Sequence, residues 1–105
     1  MDTSTTLLPI SGRPLRHLLA LILHDRGSAM TMRRLEAAVA AAGFRPTGRA
    51  SKAISDALRT EVRQGRAVLL DRGVYGPGRR LSPSTAWWFR QQVREHAARV
   101  SAEAA

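Results

Sequence analysis

Apolar positions recur along this chain with a helical period in four stretches, and one stretch near residue 70 breaks that period. Leu15, Leu18, Leu19 and Ile22 follow one another at i, i+3, i+4 and i+7 behind Pro14, which predicts a helix over 14–26 ended by Gly27. Leu21 falls off that face and Leu23 lies at its margin, so the helix is expected to be covered on a second side. Met32, Leu35, Val39 and Ala42 predict a second helix over 32–42, with Thr31 as its N-cap and Gly43 as its stop. Phe44 follows, and Arg45-Pro46-Thr47-Gly48 is a turn rich in breakers.

The third helix, Arg49 to Gln64, is the most two-sided. Ala50, Ile54, Ala57, Leu58 and Val62 fall on one side at 100° per residue. Lys52, Arg59 and Arg63 share the opposite side, with Arg49 and Asp56 beside them. Glu61 interrupts the scheme by falling near the apolar side, where an ion pair at the edge of the core would accommodate it.

After Gly65 the period changes. Ala67-Val68-Leu69-Leu70, the turn Asp71-Arg72-Gly73 and the run Val74-Tyr75-Gly76 predict a two-stranded hairpin, which needs support from the helices to be stable. Tyr75 is expected to plug the gap between hairpin and helices. Ser82-Pro83 then opens a last helix over 83–103, in which Ala86, Phe89, Val93, His96 and Val100 are spaced 3, 4, 3, 4 as in a short heptad seam. That spacing leads us to expect a homodimer contact there, through Trp87, Trp88, Phe89, Val93 and Val100; both indoles cannot share the seam, so at least one meets a second apolar surface or stays exposed. Residues 1–13, rich in Thr and Ser at the start, are expected to form a flexible leader, with Leu7, Leu8 and Ile10 packing only locally. The fold class is thus mainly α with a small β-hairpin and a C-terminal helix.

Composition narrows the function classes. A chain of 105 residues suits one domain, and without cysteine it holds no disulfide, thiolate metal site or thiol nucleophile. No apolar run approaches the about 20 residues that cross a bilayer, and the start lacks a secretory pattern. A soluble cytoplasmic protein, bacterial and nucleoid-associated, with no membrane partner is expected.

The net charge is +9, from 17 basic and 8 acidic residues. Sixteen of the basic residues are Arg and 17 residues are Ala, a pattern that GC-rich coding produces by itself, so position matters more than number. Residues 45–66 carry six basic against two acidic side chains, the densest excess in the chain. Nucleic acid is the default partner of such a chain.

The order helix, turn, helix, basic helix, hairpin over residues 14–78 resembles a winged helix-turn-helix domain. The stretch Gly43-Phe44-Arg45-Pro46-Thr47-Gly48-Arg49-Ala50, then Ile54 and Leu58, and the close Asp71-Arg72-Gly73-Val74-Tyr75-Gly76 resemble its HARE-HTH branch. That branch commonly has Thr-Pro where this chain has Ala50-Ser51. The resemblance implies DNA binding, with the third helix in the major groove and the hairpin as a wing on the backbone.

Lys52, Ser55, Asp56, Arg59 and Arg63 provide the mixture a reading helix needs, long cations for phosphate flanking polar groups for base edges. Arg59 suits guanine, Asp56 suits cytosine or the orientation of Arg59, and Arg49 stands at the helix start. Arg72 at the hairpin turn, with Arg79 and Arg80 after it, suits phosphate or a narrow minor groove. The same side chains also suit a plain solvated surface, a docking module for a protein, or nonspecific nucleoid or RNA binding.

His17 and His24 lie two turns apart, whereas metal ligands on one helix come at i, i+3 or i+4, so no metal site is expected. No phosphate loop or Ser/His/Asp grouping occurs, and no enzyme activity, cofactor or small-molecule effector is expected. The sequence therefore predicts a transcriptional regulator that reads duplex DNA as a homodimer.

Overall fold

The structure, a computed structural model, describes residues 6–104. It contains four helices and a small antiparallel sheet of three strands, with a second, parallel pair of strands beside them.

Helix α1 (Gly12–Arg26) begins two residues before the expected start. Pro14 is tolerated there because first-turn N–H groups have no partner within a helix. Gly27 ends it in the left-handed region (φ 69°), where its N–H reaches the carbonyl of Leu23. Leu15, Leu18, Leu19 and Leu23 enter the main core, while Ala20 and Leu21 enter a second cluster with Leu81, Ala86 and Phe89. The off-face leucine is thus explained: α1 is buried between two sets of partners.

Strand β1 (Leu8–Ile10) and the start of α1 at Gly12 correct the flexible leader over these residues, while residues 1–5 of it lie outside the described ones. It pairs in parallel with β3 (Phe44–Pro46), matching Leu8 with Phe44 and Ile10 with Pro46. Burial of Ile10 in the core, 1% exposed, supplies the physical reason. Its backbone is bonded as well, with Leu8 N–H donating to Gly43 O at 2.9 Å and Thr47 N–H to Ile10 O at 3.0 Å.

Helix α2 (Met32–Ala41) starts as expected at Thr31, whose Oγ1 accepts the Arg34 N–H at 3.2 Å, and buries Leu35 and Val39. Just before it, β2 (Met30–Thr31) is a strand too short to show a period. Helix α3 (Ala50–Arg63) has Arg49 and Gln64 as its caps and buries Ile54, Ala57, Leu58 and Glu61. Val62, expected on the apolar side, is instead exposed.

The hairpin comprises β4 (Ala67–Asp71) and β5 (Val74–Pro77). The sheet order is β2-β5-β4, all antiparallel, with Met30 opposite Tyr75 and Thr31 opposite Val74. Pairing with β2 gives the hairpin the support it needs, and Tyr75 is buried in the main core. A strand between α1 and α2 therefore holds the hairpin that follows α3.

Helix α4 (Pro83–Ala104) lies against α1 and β1. Phe89 is 6% exposed and packs with Ala20, Leu21, Leu81 and Ala86 of its own chain. Val93 packs against both clusters. His96 Nε2 lies 2.9 Å from the carbonyl oxygen of Pro9, tying α4 to β1. These contacts correct the expected dimer seam: Phe89 and Val93 face the chain's own core, because α1 presents a second apolar side that would otherwise meet water. Val100, further along α4, is half-buried.

Candidate nucleic-acid interface

Helix α3 turns its buried residues inward by the 3.6-residue period, which leaves Lys52, Asp56, Arg59 and Arg63 along its exposed side. The side chains of Lys52 and Arg59 are 68% and 69% exposed. Asp56 sits between them, with Lys52 Nζ at 3.0 Å from Oδ2 and Arg59 Nη2 at 3.9 Å from Oδ1. Such exposed pairs contribute little to stability, about 0–1 kcal/mol, and release their cations readily to a stronger anion. Arg63 donates to Thr60 Oγ1 at 3.2 Å. Arg49, at the N-cap, is exposed too.

Ser55 is half-buried beside this ridge, in a groove of about 300 Å³ between α3 and the hairpin. Arg59, Val62 and Arg63 line one wall and Leu69 and Tyr75 the other. The exposure of Val62 has its counterpart here, because Leu69 on the facing strand is 55% exposed. Arg72 lies at the hairpin turn, exposed, with its N–H donating to Asp71 Oδ1 at 2.7 Å. Met32 N–H donates to Gly73 O at 3.0 Å, so the turn is anchored to the start of α2. Six of the seven sequence-selected residues thus lie exposed on α3 or the hairpin tip, and Ser55 lines the groove between them.

No family model, no curated protein and no solved structure matches the chain.

A buried polar cluster sits behind the ridge. Glu61 is fully buried and accepts from Arg66 Nε at 2.7 Å and Nη2 at 2.9 Å, with Arg16 Nε at 3.7 Å. The hydrogen bonds from Arg66 to Glu61 raise the pKa of that guanidinium. Arg66 also lies over the ring of Phe89, 5.4 Å from its centroid. His17 stacks on the other aromatic contacts of this region, 4.1 Å from Phe89 in near-parallel planes and edge-on to Trp88 at 5.8 Å. Sequence reasoning anticipated an ion pair for Glu61 without its partners; the signal was a carboxylate on an apolar face five residues before an arginine beyond the helix end.

Burial pushes the His17 pKa down to about 4, against a partly opposing pull from Glu61 and reinforced by Arg66 and Arg16. The folded protein therefore holds His17 neutral, while the unfolded chain takes up a proton near pH 6.5. Stability from this group is complete above about pH 6.5 and falls as pH drops toward 4, by at most about 3 kcal/mol. Urea midpoints of the protein and of His17→Phe across pH 4–7 test this. The variant should show the shallower fall, and equal slopes would exclude His17 as the cause.

Among the described residues, no group of three or more His, Cys, Asp or Glu is placed to hold a metal ion, and no helix is long and apolar enough to cross a membrane.

Proposed function

We propose that this chain is a small double-stranded DNA-binding protein of the winged helix-turn-helix kind, acting as a transcriptional regulator. In this reading α3 enters the major groove and the β4–β5 hairpin is the wing. The observation that carries it is the exposed cationic ridge of Lys52, Arg59 and Arg63 on α3, bordered by a hairpin that bears Arg72 at its turn. The strand order β2-β5-β4 supports it further, since β2, lying between α1 and α2, holds the hairpin beside the basic helix. An α-helix fits the major groove of B-DNA, and guanidinium and ammonium groups on its exposed side meet phosphates and base edges there.

Equilibrium binding to a labelled duplex at several salt concentrations tests the proposal. About four phosphate contacts per protomer give a slope near −3.6 in log K against log salt. A slope near zero would sink the reading. Equal affinity for unrelated duplexes at fixed salt would point instead to nonspecific nucleoid binding, and preference for RNA to an RNA-binding protein.

A second reading, contact with a protein through α4, is favoured by one observation. Trp87 and Trp88 are 59% and 46% exposed side by side, although Phe89 and Val93 are covered by their own chain. Adjacent exposed indoles are typical anchors of protein contacts. A second copy as occupant predicts a dimer mass in sedimentation equilibrium that falls to the monomer in Trp87→Ser/Trp88→Ser. A monomer mass for the unaltered protein would remove the homodimer.

A further inference from the structure

At the base of the hairpin, away from the α3 ridge residues, Arg66, Arg79 and Arg80 line one open concavity of about 320 Å³ with Leu81, Ser82 and Thr85. The fold brings them together by a backbone crossing. Gly78 N–H donates to Arg66 O at 3.0 Å, and Arg79 N–H donates to Gly65 O at 2.8 Å. The strands of chain approach so closely that a Cβ on Gly78 would collide with the Gly65 carbonyl oxygen and lie 2.8 Å from Ala67 N. Only glycine fits there.

Two of the three guanidinium groups are already oriented. Arg66 is held through Nε and Nη2 by the buried Glu61. Arg79 donates through Nη2 to Gln64 O at 2.6 Å and lies against Gly65, where a Cβ would come within 3.2 Å of its Nε. Arg80 is exposed, and no ion pair among the described residues reaches it. Ser82 donates its hydroxyl to Thr85 Oγ1 at 2.9 Å, which leaves the Thr85 O–H as a donor. No carboxylate lines the concavity, and the one behind it, Glu61, is shared by Arg66 and Arg16.

Cations gathered this way repel one another, and an anion with several oxygens relieves that repulsion while accepting from more than one guanidinium. Orientation before binding lowers the entropy lost on binding. We propose that this concavity is a phosphate-binding site that takes a phosphate monoester or diester. Planar guanidinium forks match pairs of phosphate oxygens, and a group with three or four oxygens reaches donors on several walls. The phosphate comes either from the backbone of a nucleic acid or from a free phosphorylated small molecule. Only the first source rests on the DNA-binding reading; the site itself stands on its own residues.

Titration of the full chain with inorganic phosphate at constant ionic strength, followed in ¹H–¹⁵N spectra of arginine Nε–H and backbone N–H groups, tests the site. Saturable shifts are expected at Arg66, Arg79, Arg80 and Thr85, larger than at Arg59 and Arg63, and lost in Arg79→Gln/Arg80→Gln. Arg80→Gln alone, at an exposed position, should weaken the response without disturbing the fold. Shifts that fail to saturate, that are equal at all arginines, or that survive both substitutions would overturn the proposal. A second measurement distinguishes the sources. A nucleic-acid phosphate predicts that the double variant binds duplex with a salt slope shallower by about 1.8, for two lost contacts. An unchanged slope in the double variant, beside a saturable phosphate response of the unaltered protein that the double variant loses, assigns the site to a free phosphorylated molecule. Failure of the unaltered protein to bind duplex would end the DNA reading and leave the phosphate titration to decide the site.

Discussion

Replacing Glu61 with alanine is expected to lower the stability of this protein by about 3 kcal/mol, the low end of what removing one partner of a buried ion pair costs. Glu61 is fully buried, and two arginines depend on it. Arg66 would lose both of its carboxylate bonds, and Arg16 the charge that lies 3.7 Å from its Nε. The low end of the range applies because the side chains of Arg16 and Arg66 keep 28% and 23% of their exposure, so water solvates them in part. A domain of this size has a total stability of about 5–15 kcal/mol, which makes the loss large. Urea unfolding checks it, with the midpoint falling and the slope unchanged. Tryptophan fluorescence is a suitable probe, since Trp88 packs edge-on to His17 beside this cluster. Glu61→Gln should cost less, because its amide still accepts one bond from Arg66. A loss below about 1 kcal/mol for Glu61→Ala would mean that the pair adds little to the packing around it.

Reversing the ridge as Lys52→Glu, Arg59→Glu and Arg63→Glu is expected to reduce duplex affinity at least about 1,000-fold near 0.1 M salt. Each lost phosphate or base contact accounts for about 1–3 kcal/mol or one unit of salt slope, and each new carboxylate adds repulsion from the backbone. Thermal stability should change little, because these side chains are exposed and their only carboxylate neighbour on α3, Asp56, forms pairs that water screens. Fluorescence anisotropy with a labelled duplex gives the affinity, and circular dichroism confirms the fold. Affinity within tenfold of the unaltered protein would transfer the function to a surface other than α3.

Much of the fold was legible in the sequence, and the reasons are local. A helical period marks α2 and α3 because each has one face against the core, and α1 because its main-core leucines recur at that spacing although a second side is covered as well. Thr31 and Gly27 mark ends through side-chain and left-handed backbone chemistry that needs no tertiary partner. The hairpin was legible from its break in period. The α3 ridge was legible too, since opposite faces of a helix follow from residue spacing alone, and the exposures of Lys52 and Arg59 agree with it.

Strands β1 and β2 escaped, because three and two residues show no period and their partners lie far along the chain. A residue such as Ile10 reads as leader until a core exists to receive it. Phe89 and Val93 were misplaced for a related reason. A heptad seam looks the same whether its partner is a second copy or another helix of the same chain, and here α1 offers that partner through Ala20 and Leu21. The concavity of Arg66, Arg79 and Arg80 escaped because a close crossing of two chain segments at Gly65 and Gly78 creates it.

What the sequence by itself determined is therefore the set of helices, the hairpin and the separation of a cationic from an apolar side on α3, all consequences of period and local capping. What only the tertiary structure decided is which surfaces remain free: Trp87 and Trp88 but not Phe89, the basic ridge beside its groove, and three arginines around one concavity. The physical reason is that exposure is not a property of a segment, since it depends on which other segment buries more apolar surface by covering it.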